Sequence, residues 1–361
     1  MTHVGRALAE NNPRQTSLLK FGDIPANVRA MNHAPKTLLW LQAGSCGGCT
    51  MSVLEQGASG WFVELKNIGV LLLWHPSVSE ESGAEVLAIL DLIERGETRL
   101  DIFCVEGSIL RGPNGSGKFN RLSGTNRSLL DITRSLAARA DFCVAVGTCA
   151  SFGGVPAGEP DPTDACGLHY DGSEIGGALG RGYRSKKGLP VINVAGCAPH
   201  PGWIMETIQA LTTGDLSADD LDVFGRPAFF AAHLAHHGCS RNEFYEFKAS
   251  ARVFSERGCL MEHLGCKATQ AIGDCNQRAW NGGGSCTHGG FACISCTAPH
   301  FEDVRNFDVT PKIAGIPVGL PLDMPKAWFM TLAALSKSAT PERVRKNAEA
   351  DRIVENPRRG K

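Results

Sequence analysis

The chain has 361 residues, of which 43% are hydrophobic, and a formal net charge of −1. A chain of this length can bury the core of one large domain or of two, and its balanced charge argues against nucleic acid and anionic membranes as partners. Residues 1–15 lack the apolar core, twin-arginine pair and cleavage site of an export signal, and no apolar run reaches the roughly 18 residues of a membrane span. We therefore expect a cytoplasmic protein, with peripheral attachment to a membrane as the alternative.

Three segments follow one another along the chain. Residues 1–36 are polar and weakly patterned, which predicts an arm that is mobile or lies against a partner. Residues 37–218 form a predicted α/β domain, with strands in TLLWLQAG, NIGVLLLWHP, RLDIFCVEG, DFCVAVG and LPVINVAG and helices in MSVLEQGASGWFVEL, GAEVLAILDLIERG and SLLDITRSLAARA. Continuous apolar strands separated by helices predict a parallel sheet covered on both faces. Residues 219–361 form a predicted second domain in which periodic strands stop.

Four cysteines lie just beyond predicted strand ends, and glycines flank them: Cys46, Cys49, Cys149 and Cys197. Ligands bind outside the carboxyl ends of the strands in an open α/β sheet, so these loops are expected to converge. Glycine lets the backbone approach a bulky group closely. A lone Cys-x-x-Cys is more often a zinc or redox pair, but four thiols from three converging loops favour an iron-sulfur cluster.

Seven cysteines fall between Cys239 and Cys296, where the apolar pattern is too weak for a core of its own. Metal ligation can supply the missing folding free energy. The residues form two candidate sets, one of His236, Cys239, Cys259 and Cys266 and one of Cys275, Cys286, Cys293 and Cys296. Zinc fits either set by count, but two such sets beside a third on the sheet favour an electron relay.

Several motifs occur together in one order: Cys46-Gly47-Gly48-Cys49, CVEGSIL, VGTCASFGGVPAG, NVAGCAPHP, His-x-x-Cys, CLMEHLGCK and CISCTAPHF. This ordered set, from about residue 37 to residue 305, resembles the small subunits of NiFe hydrogenases. The resemblance implies a flavodoxin-like N-terminal domain followed by an irregular cluster-binding C-terminal domain. It also implies three iron-sulfur clusters and a large-subunit partner that carries nickel and iron, with a dimer or higher oligomer of heterodimers expected.

The resemblance implies a role for each cysteine set. Cys46, Cys49, Cys149 and Cys197 would hold the proximal cluster, Cys275, Cys286, Cys293 and Cys296 the medial one, and His236, Cys239, Cys259 and Cys266 the distal one. His236 is preferred to His233 and His237 because the family spacing is His-x-x-Cys. Hydrogen would be split on the partner, and this chain would conduct the electrons to an unidentified acceptor without a catalytic residue of its own.

The chain departs from the family pattern in ways that affect the clusters. Many relatives have a 3Fe-4S medial cluster with a proline near the position of Cys286, so we expect a 4Fe-4S cluster here, with Asp274 as a weaker fourth ligand and 3Fe-4S as the alternative. Oxygen-tolerant relatives carry extra cysteines where this chain has Gly48 and Gly154. The missing membrane anchor fits a soluble, divergent branch such as the one named after actinobacteria.

Three rival interpretations remain open from the sequence. A carrier of the respiratory complex I type would hold a single cluster and leave the later cysteines unexplained. A zinc-stapled binding module would have no redox role, and a flavodoxin would bind FMN in the loops that here carry cysteines. Cys104 and Cys143 lie inside predicted strands and Cys166 in a loop, and we expect all three to be buried apolar side chains rather than ligands.

Overall fold

The computed structural model describes residues 34–56, 59–280, 283–303, 307, 309–313, 316–317 and 325–356. Residues 1–33 of the predicted N-terminal arm lie outside the described residues. The proposed domain boundaries at residues 36 and 218 also stay predictions.

Five parallel strands form the central sheet: β1 (Lys36–Gln42), β2 (Val70–Trp74), β3 (Ile102–Glu106), β4 (Phe142–Val146) and β5 (Ile192–Val194). Their order across the sheet is β2-β1-β3-β4-β5, and each neighbouring pair is parallel. This is the flavodoxin-like order, in which the strand order reverses between β1 and β3. All five strands fall in the predicted apolar runs, so the predicted fold class is confirmed.

The α-helices of the described residues are α1 (Gly48–Leu54), α2 (Trp61–Asn67), α3 (Ala84–Arg95), α4 (Leu129–Ala137), α5 (Thr148–Phe152), α6 (Pro201–Thr213), α7 (Ala228–Ala231), α8 (Asn242–Glu246), α9 (Lys326–Ser338) and α10 (Glu342–Ala348). Short 3-10 helices span Val155–Ala157, Ala218–Asp220 and Ala235–Gly238. Antiparallel pairs join Ile109–Leu110 to Ala165–Cys166, Tyr170–Asp171 to Glu174–Ile175 and Lys312–Ile313 to Ile316–Pro317. Within these ranges, no helix is long and apolar enough to cross a bilayer.

The run MSVLEQGASGWFVEL was predicted to be helical throughout, but the structure divides it into α1 and α2. Gly60 precedes α2 with φ of 79° and ψ of 155°, a backbone conformation far from a helix that glycine adopts at little cost. The break leaves α1 as a short helix whose first turn contains Cys49.

Two apolar layers cover the sheet, one on each face. Along β1, Leu39 and Leu41 pack into the layer formed with α3 and α4, while Leu38 and Trp40 pack into the layer formed with α1, α2 and α6. This alternation is expected because successive side chains of a strand point to opposite faces. Both faces of the sheet are therefore buried, which explains why the strands are continuously apolar.

The C-terminal helices α9 and α10 were not anticipated from the sequence. Phe329 of α9 and Val344 of α10 pack into a separate apolar cluster with residues of the cysteine-rich segment, among them Tyr245, Cys259 and Met261. The last part of the described chain thus covers residues that lie beside one of the candidate metal-binding sets.

Candidate metal centres

The sheet brings the first cysteine set together at the carboxyl ends of its strands. Burial raises the pKa of Cys49 well above its ordinary value, and the Glu106 carboxylate and the thiols of Cys149, Cys46 and Cys197 raise it further. Four thiols packed this closely can all be thiolates only if positive charge lies between them. An iron-sulfur cluster supplies such charge, so this donor set fits one.

Glycines line the space between these thiols. A Cβ atom added at Gly147, which has φ of 89°, would lie 2.5 Å from the Cys49 sulfur. A Cβ added at Gly154, with φ of 56°, would lie 2.9 Å from the Cys149 sulfur. Side chains at either position would enter the volume around the sulfurs and strain the backbone, so glycine keeps this volume open.

A buried carboxylate at the end of β3 organises the loop that carries Cys46 and Cys49. The Glu106 oxygens accept hydrogen bonds from Trp40 Nε1 at 3.1 Å, Gln42 Nε2 at 3.3 Å, Ser45 Oγ at 2.9 Å, Cys49 N at 3.1 Å and Thr50 Oγ1 at 2.5 Å. Three of these donors belong to residues 45–50, so the carboxylate fixes the loop in place. The motif CVEGSIL contains this residue, but the sequence alone does not distinguish it from any other buried carboxylate.

A buried histidine extends the network. His75 Nδ1 accepts from Ser77 N at 3.1 Å, so Nε2 carries the proton and donates to Thr50 Oγ1 at 3.2 Å. Burial lowers the pKa of His75 to about 4, although nearby Glu106 opposes that shift. The neutral imidazole is therefore the form that completes this network at neutral pH.

Acidification should reveal the cost of protonating His75. Because its folded pKa is depressed, the contribution to stability is complete above the unfolded value of about 6.5 and falls as the pH drops through about 4. In thermal melts of the intact complex, the stability advantage of wild type over His75→Gln should shrink between about pH 7 and about pH 5. A constant advantage over this range would contradict the assignment.

The set of His236, Cys239, Cys259 and Cys266 surrounds one small cavity, the distal cavity. Burial raises the pKa of Cys259 to about 12, and the thiols of Cys266 and Cys239 contribute to the rise. His236, and neither His233 nor His237, lines this cavity as the described residues define it.

Two residues that the sequence reasoning missed also contact the distal cavity. The backbone N–H of Arg241 donates to the Cys239 sulfur at 3.4 Å, and its guanidinium donates to the carbonyls of Glu256 and Gly258. The Tyr245 ring lies 5.2 Å from the His236 ring, centre to centre. Both residues follow Cys239 closely, Arg241 just before α8 and Tyr245 within it. Their short distance from Cys239 in the sequence is the signal that could have identified them.

The remaining set lies in the loops that follow Asp274. Burial raises the pKa of Cys275 to about 12 and of Cys296 to about 11, and in each case the Cys286 thiol adds to the effect. Burial also raises the pKa of Cys293 well above its ordinary value, with contributions from Cys266, Cys296 and Cys275. The four cysteines of this set are therefore neighbours.

The weaker candidate ligand, Asp274, is engaged elsewhere. Its Oδ1 accepts from Trp203 Nε1 at 2.6 Å, and its Oδ2 pairs with Arg278 Nε at 3.1 Å. Metal ligation by this carboxylate would compete with these contacts.

The three sets form a row in space. The backbone N–H of Cys293 donates to the Cys266 sulfur at 3.3 Å, and the thiol of Cys296 is close enough to Cys197 for the two to interact electrostatically. In addition, the Thr148 hydroxyl donates to the Cys296 carbonyl. The set of Cys275–Cys296 therefore lies between the other two.

The three cysteines outside the candidate sets are buried or hydrogen-bonded to the backbone. Cys104 and Cys143 are fully buried in β3 and β4, and the Cys166 thiol donates to the Ile109 carbonyl at 3.7 Å. Over the described ranges, no three or more His, Cys, Asp or Glu side chains form a site for a single metal ion.

Two family models match different parts of the chain. One is described as "NADH ubiquinone oxidoreductase, 20 Kd subunit" and matches residues 46–211. The other describes the C-terminal part of NiFe/NiFeSe hydrogenase small subunits and matches residues 232–308. The second match covers the cysteine-rich segment that a single-cluster carrier of the complex I type leaves unexplained.

Similar proteins and structures come from several organisms. The F420 non-reducing hydrogenase II small subunit of Methanosarcina mazei is 32% identical over 324 residues, which cover 82% of this chain and 81% of that protein. The periplasmic [NiFeSe] hydrogenase small subunit of Desulfomicrobium baculatum is 29% identical over 297 residues, with 78% and 90% covered. The actinobacterial-type NiFe-hydrogenase from Ralstonia eutropha H16 matches with a TM-score of 0.69 and 27% identity, over 89% of this chain and 96% of that one.

Proposed function

Because this chain belongs to the family of NiFe hydrogenase small subunits, we propose that it conducts electrons through three iron-sulfur clusters to an acceptor at its surface. Small subunits of this family are the electron-transfer chains of a hydrogenase and pair with a large subunit. The observation that carries the proposal is the row of three cysteine sets, linked by the contacts of Cys266 with Cys293 and of Cys197 with Cys296.

The proposed proximal ligands are Cys46, Cys49, Cys149 and Cys197, and the proposed distal ligands are His236, Cys239, Cys259 and Cys266. Iron-sulfur clusters accept and release single electrons at potentials set by ligand type, charge, hydrogen bonds and exposure. This chain supplies two such influences. Backbone N–H groups donate to the sulfurs of Cys239 and Cys266, and the neutral imidazole of His236 replaces one anionic thiolate in the distal set.

We further propose a 4Fe-4S medial cluster held by Cys275, Cys286, Cys293 and Cys296. The Cys286 thiol lies close enough to Cys275 and Cys296 to raise the pKa of each, which supports four thiolate ligands. The engagement of Asp274 by Trp203 and Arg278 argues against a carboxylate ligand.

A surface near the proximal set suits the large subunit. Met51 and Leu54 of α1, the helix that also contains Cys49, are 69% and 41% exposed, respectively. Exposed apolar side chains grouped beside a functional site are typical of a protein-protein interface. We propose that they pack against the large subunit, in a cytoplasmic complex built from a dimer or higher oligomer of heterodimers.

Metal analysis of the anaerobically purified complex tests the proposal. We expect about twelve irons with matching sulfide on this chain, beyond the metals of the large subunit. In Cys286→Ala, the count should fall by about one iron, and the oxidised complex should gain the paramagnetic signal of a 3Fe-4S cluster.

Asp274→Asn serves as the matched control and should keep the wild-type iron count. If the 3Fe-4S signal appears in Asp274→Asn and not in Cys286→Ala, Asp274 and not Cys286 is the fourth ligand of the medial cluster. Zinc without sulfide in the wild-type complex would overturn the relay.

A further inference from the structure

A buried hydroxyl group without a protein partner lies beside the distal cavity. Thr269 lines this cavity and is 2% exposed, and its Oγ1 atom has no hydrogen-bond partner within the described part of the chain. Buried polar groups in folded proteins nearly always form at least one hydrogen bond. The partner of this hydroxyl is therefore expected in the space that the distal cavity encloses.

Backbone hydrogen bonds fix the place of Thr269 relative to the distal set. Thr269 lies between Ala268 and Ala271 in the turn that follows the last proposed distal ligand. The N–H of His236 donates to the Ala268 carbonyl at 3.1 Å, and the N–H of Ala235 donates to the Ala271 carbonyl at 2.8 Å. These bonds on either side of Thr269 hold its backbone at the cavity wall.

A cluster bound by the distal set presents sulfur atoms to this hydroxyl. Cysteine sulfurs and cluster sulfides both accept hydrogen bonds, and these bonds influence the potential of the cluster. The chain already directs a backbone donor at one of the sulfurs, from Arg241 N to Cys239 Sγ at 3.4 Å. A hydroxyl group in the same wall has acceptors of the same kind.

Two other polar groups of the lining do not take this role. The Thr287 hydroxyl also belongs to the cavity wall, but it donates to Asn276 Oδ1 at 2.8 Å. Asn242 Oδ1 is buried in the wall as well and has no partner among the described residues, so it does not accept from Thr269. The Thr269 hydroxyl is therefore available to the cluster.

We propose that the Thr269 hydroxyl donates a hydrogen bond to a sulfur of the distal cluster and raises the reduction potential of that cluster. The inference rests on the proposed relay function and adds a residue that sets a potential without being a ligand. The reduced cluster carries one more negative charge than the oxidised cluster, so the hydrogen bond stabilises the reduced form more strongly. A higher distal potential favours movement of electrons toward the exit of the relay.

Reductive titration of the anaerobic complex, followed by electron paramagnetic resonance, tests the inference. The nitrogen coupling of His236 identifies the distal signal, because the other two proposed sets contain cysteines alone. Thr269→Val removes the hydroxyl and keeps a β-branched side chain. At a fixed applied potential, we expect its ratio of reduced to oxidised distal cluster to fall at least about threefold from the wild-type ratio. Thr269→Ser keeps a hydroxyl and should change this ratio less than about twofold.

Thr133→Val is the matched control, because Thr133 is fully buried and its hydroxyl also has no partner within the described ranges. Thr133 lies in α4, which packs on the sheet, and its replacement should leave the distal ratio unchanged. An equal fall in Thr133→Val would mean that the lost hydroxyl acts through the fold, and the inference would be wrong. If Thr269→Val loses iron, Thr269→Ser and Thr269→Ala make the same comparison in smaller side chains, and equal ratios in those two variants would contradict the inference.

The outcomes separate this inference from the proposed function. Hydrogen-dependent reduction of a viologen dye by the wild-type complex tests the relay itself. If wild type reduces the dye but Thr269→Val keeps the wild-type ratio, the hydroxyl does not act on the cluster and the relay stands. If wild type does not reduce the dye and has no cluster with nitrogen coupling, the proposed function fails whatever the variants show.

Discussion

Replacing Cys149 with alanine is expected to abolish hydrogen-dependent electron transfer and to remove about four irons from the complex. Cys149 lies in the first turn of α5, just after β4, and its thiol lies with those of Cys49, Cys46 and Cys197. Without it, three thiols and an open position remain at the carboxyl edge of the sheet. Iron and sulfide analysis of the purified complex, together with viologen reduction under hydrogen, measures both effects.

Cys143→Ala is the matched control, because Cys143 lies in β4, shortly before Cys149 in the chain, and is fully buried away from the set. It should keep the full iron content and activity and cost about 1 kcal/mol of stability, since a small buried side chain and its hydrogen bond with Tyr183 are lost. Full iron content and activity in Cys149→Ala would remove Cys149 from the proposed proximal ligands.

Replacing Glu106 with alanine is expected to destabilise the complex severely. Five buried or half-buried donors point at this carboxylate, and each would lose its acceptor in a space that water reaches poorly. We expect a cost of about 3 kcal/mol or more, since the removal of one partner from a buried charged network typically costs this much. A complex with clusters does not unfold in two states, so the measurement is the temperature at which cluster absorbance is lost.

Glu94→Ala provides the comparison for Glu106→Ala. Glu94 forms a bidentate pair with Arg127 at the surface, with donor distances of 2.9 and 2.5 Å, and such pairs contribute about 1 kcal/mol or less. Its loss should lower the midpoint temperature far less. Equal midpoints for the two variants would mean that Glu106 does not hold the cysteine loop.

The sheet and the convergence of four cysteines at its edge could be predicted because local patterns determine them. Each strand is a short apolar run bounded by glycine or polar residues, and Cys46, Cys149 and Cys197 each follow one of these runs. Parallel strands place their carboxyl ends at one edge, so the convergence of these residues follows from strand direction alone. The resemblance to a known family assigned the later sets, where no strand pattern was available.

The parts that could not be predicted depend on contacts between distant segments. Phe329 packs beside Cys259 across 70 positions of the chain, and no periodicity in α9 indicates which face it buries there. The role of Glu106 likewise depends on donors from β1 and α1 that only the fold brings together. The division of the first helical run at Gly60 was missed because helical spacing continues through it.

The order of the three sets along the chain differs from their order in space. The chain first supplies the set on the sheet, then the set around His236, and finally Cys275 to Cys296, which lie between the other two. During synthesis, the proposed proximal and distal ligands therefore emerge from the ribosome before the proposed medial ligands. A chain that stops after Cys266 would contain the proposed proximal and distal ligands but none of the proposed medial ligands. Electron transfer along the proposed relay therefore requires synthesis to reach at least Cys296.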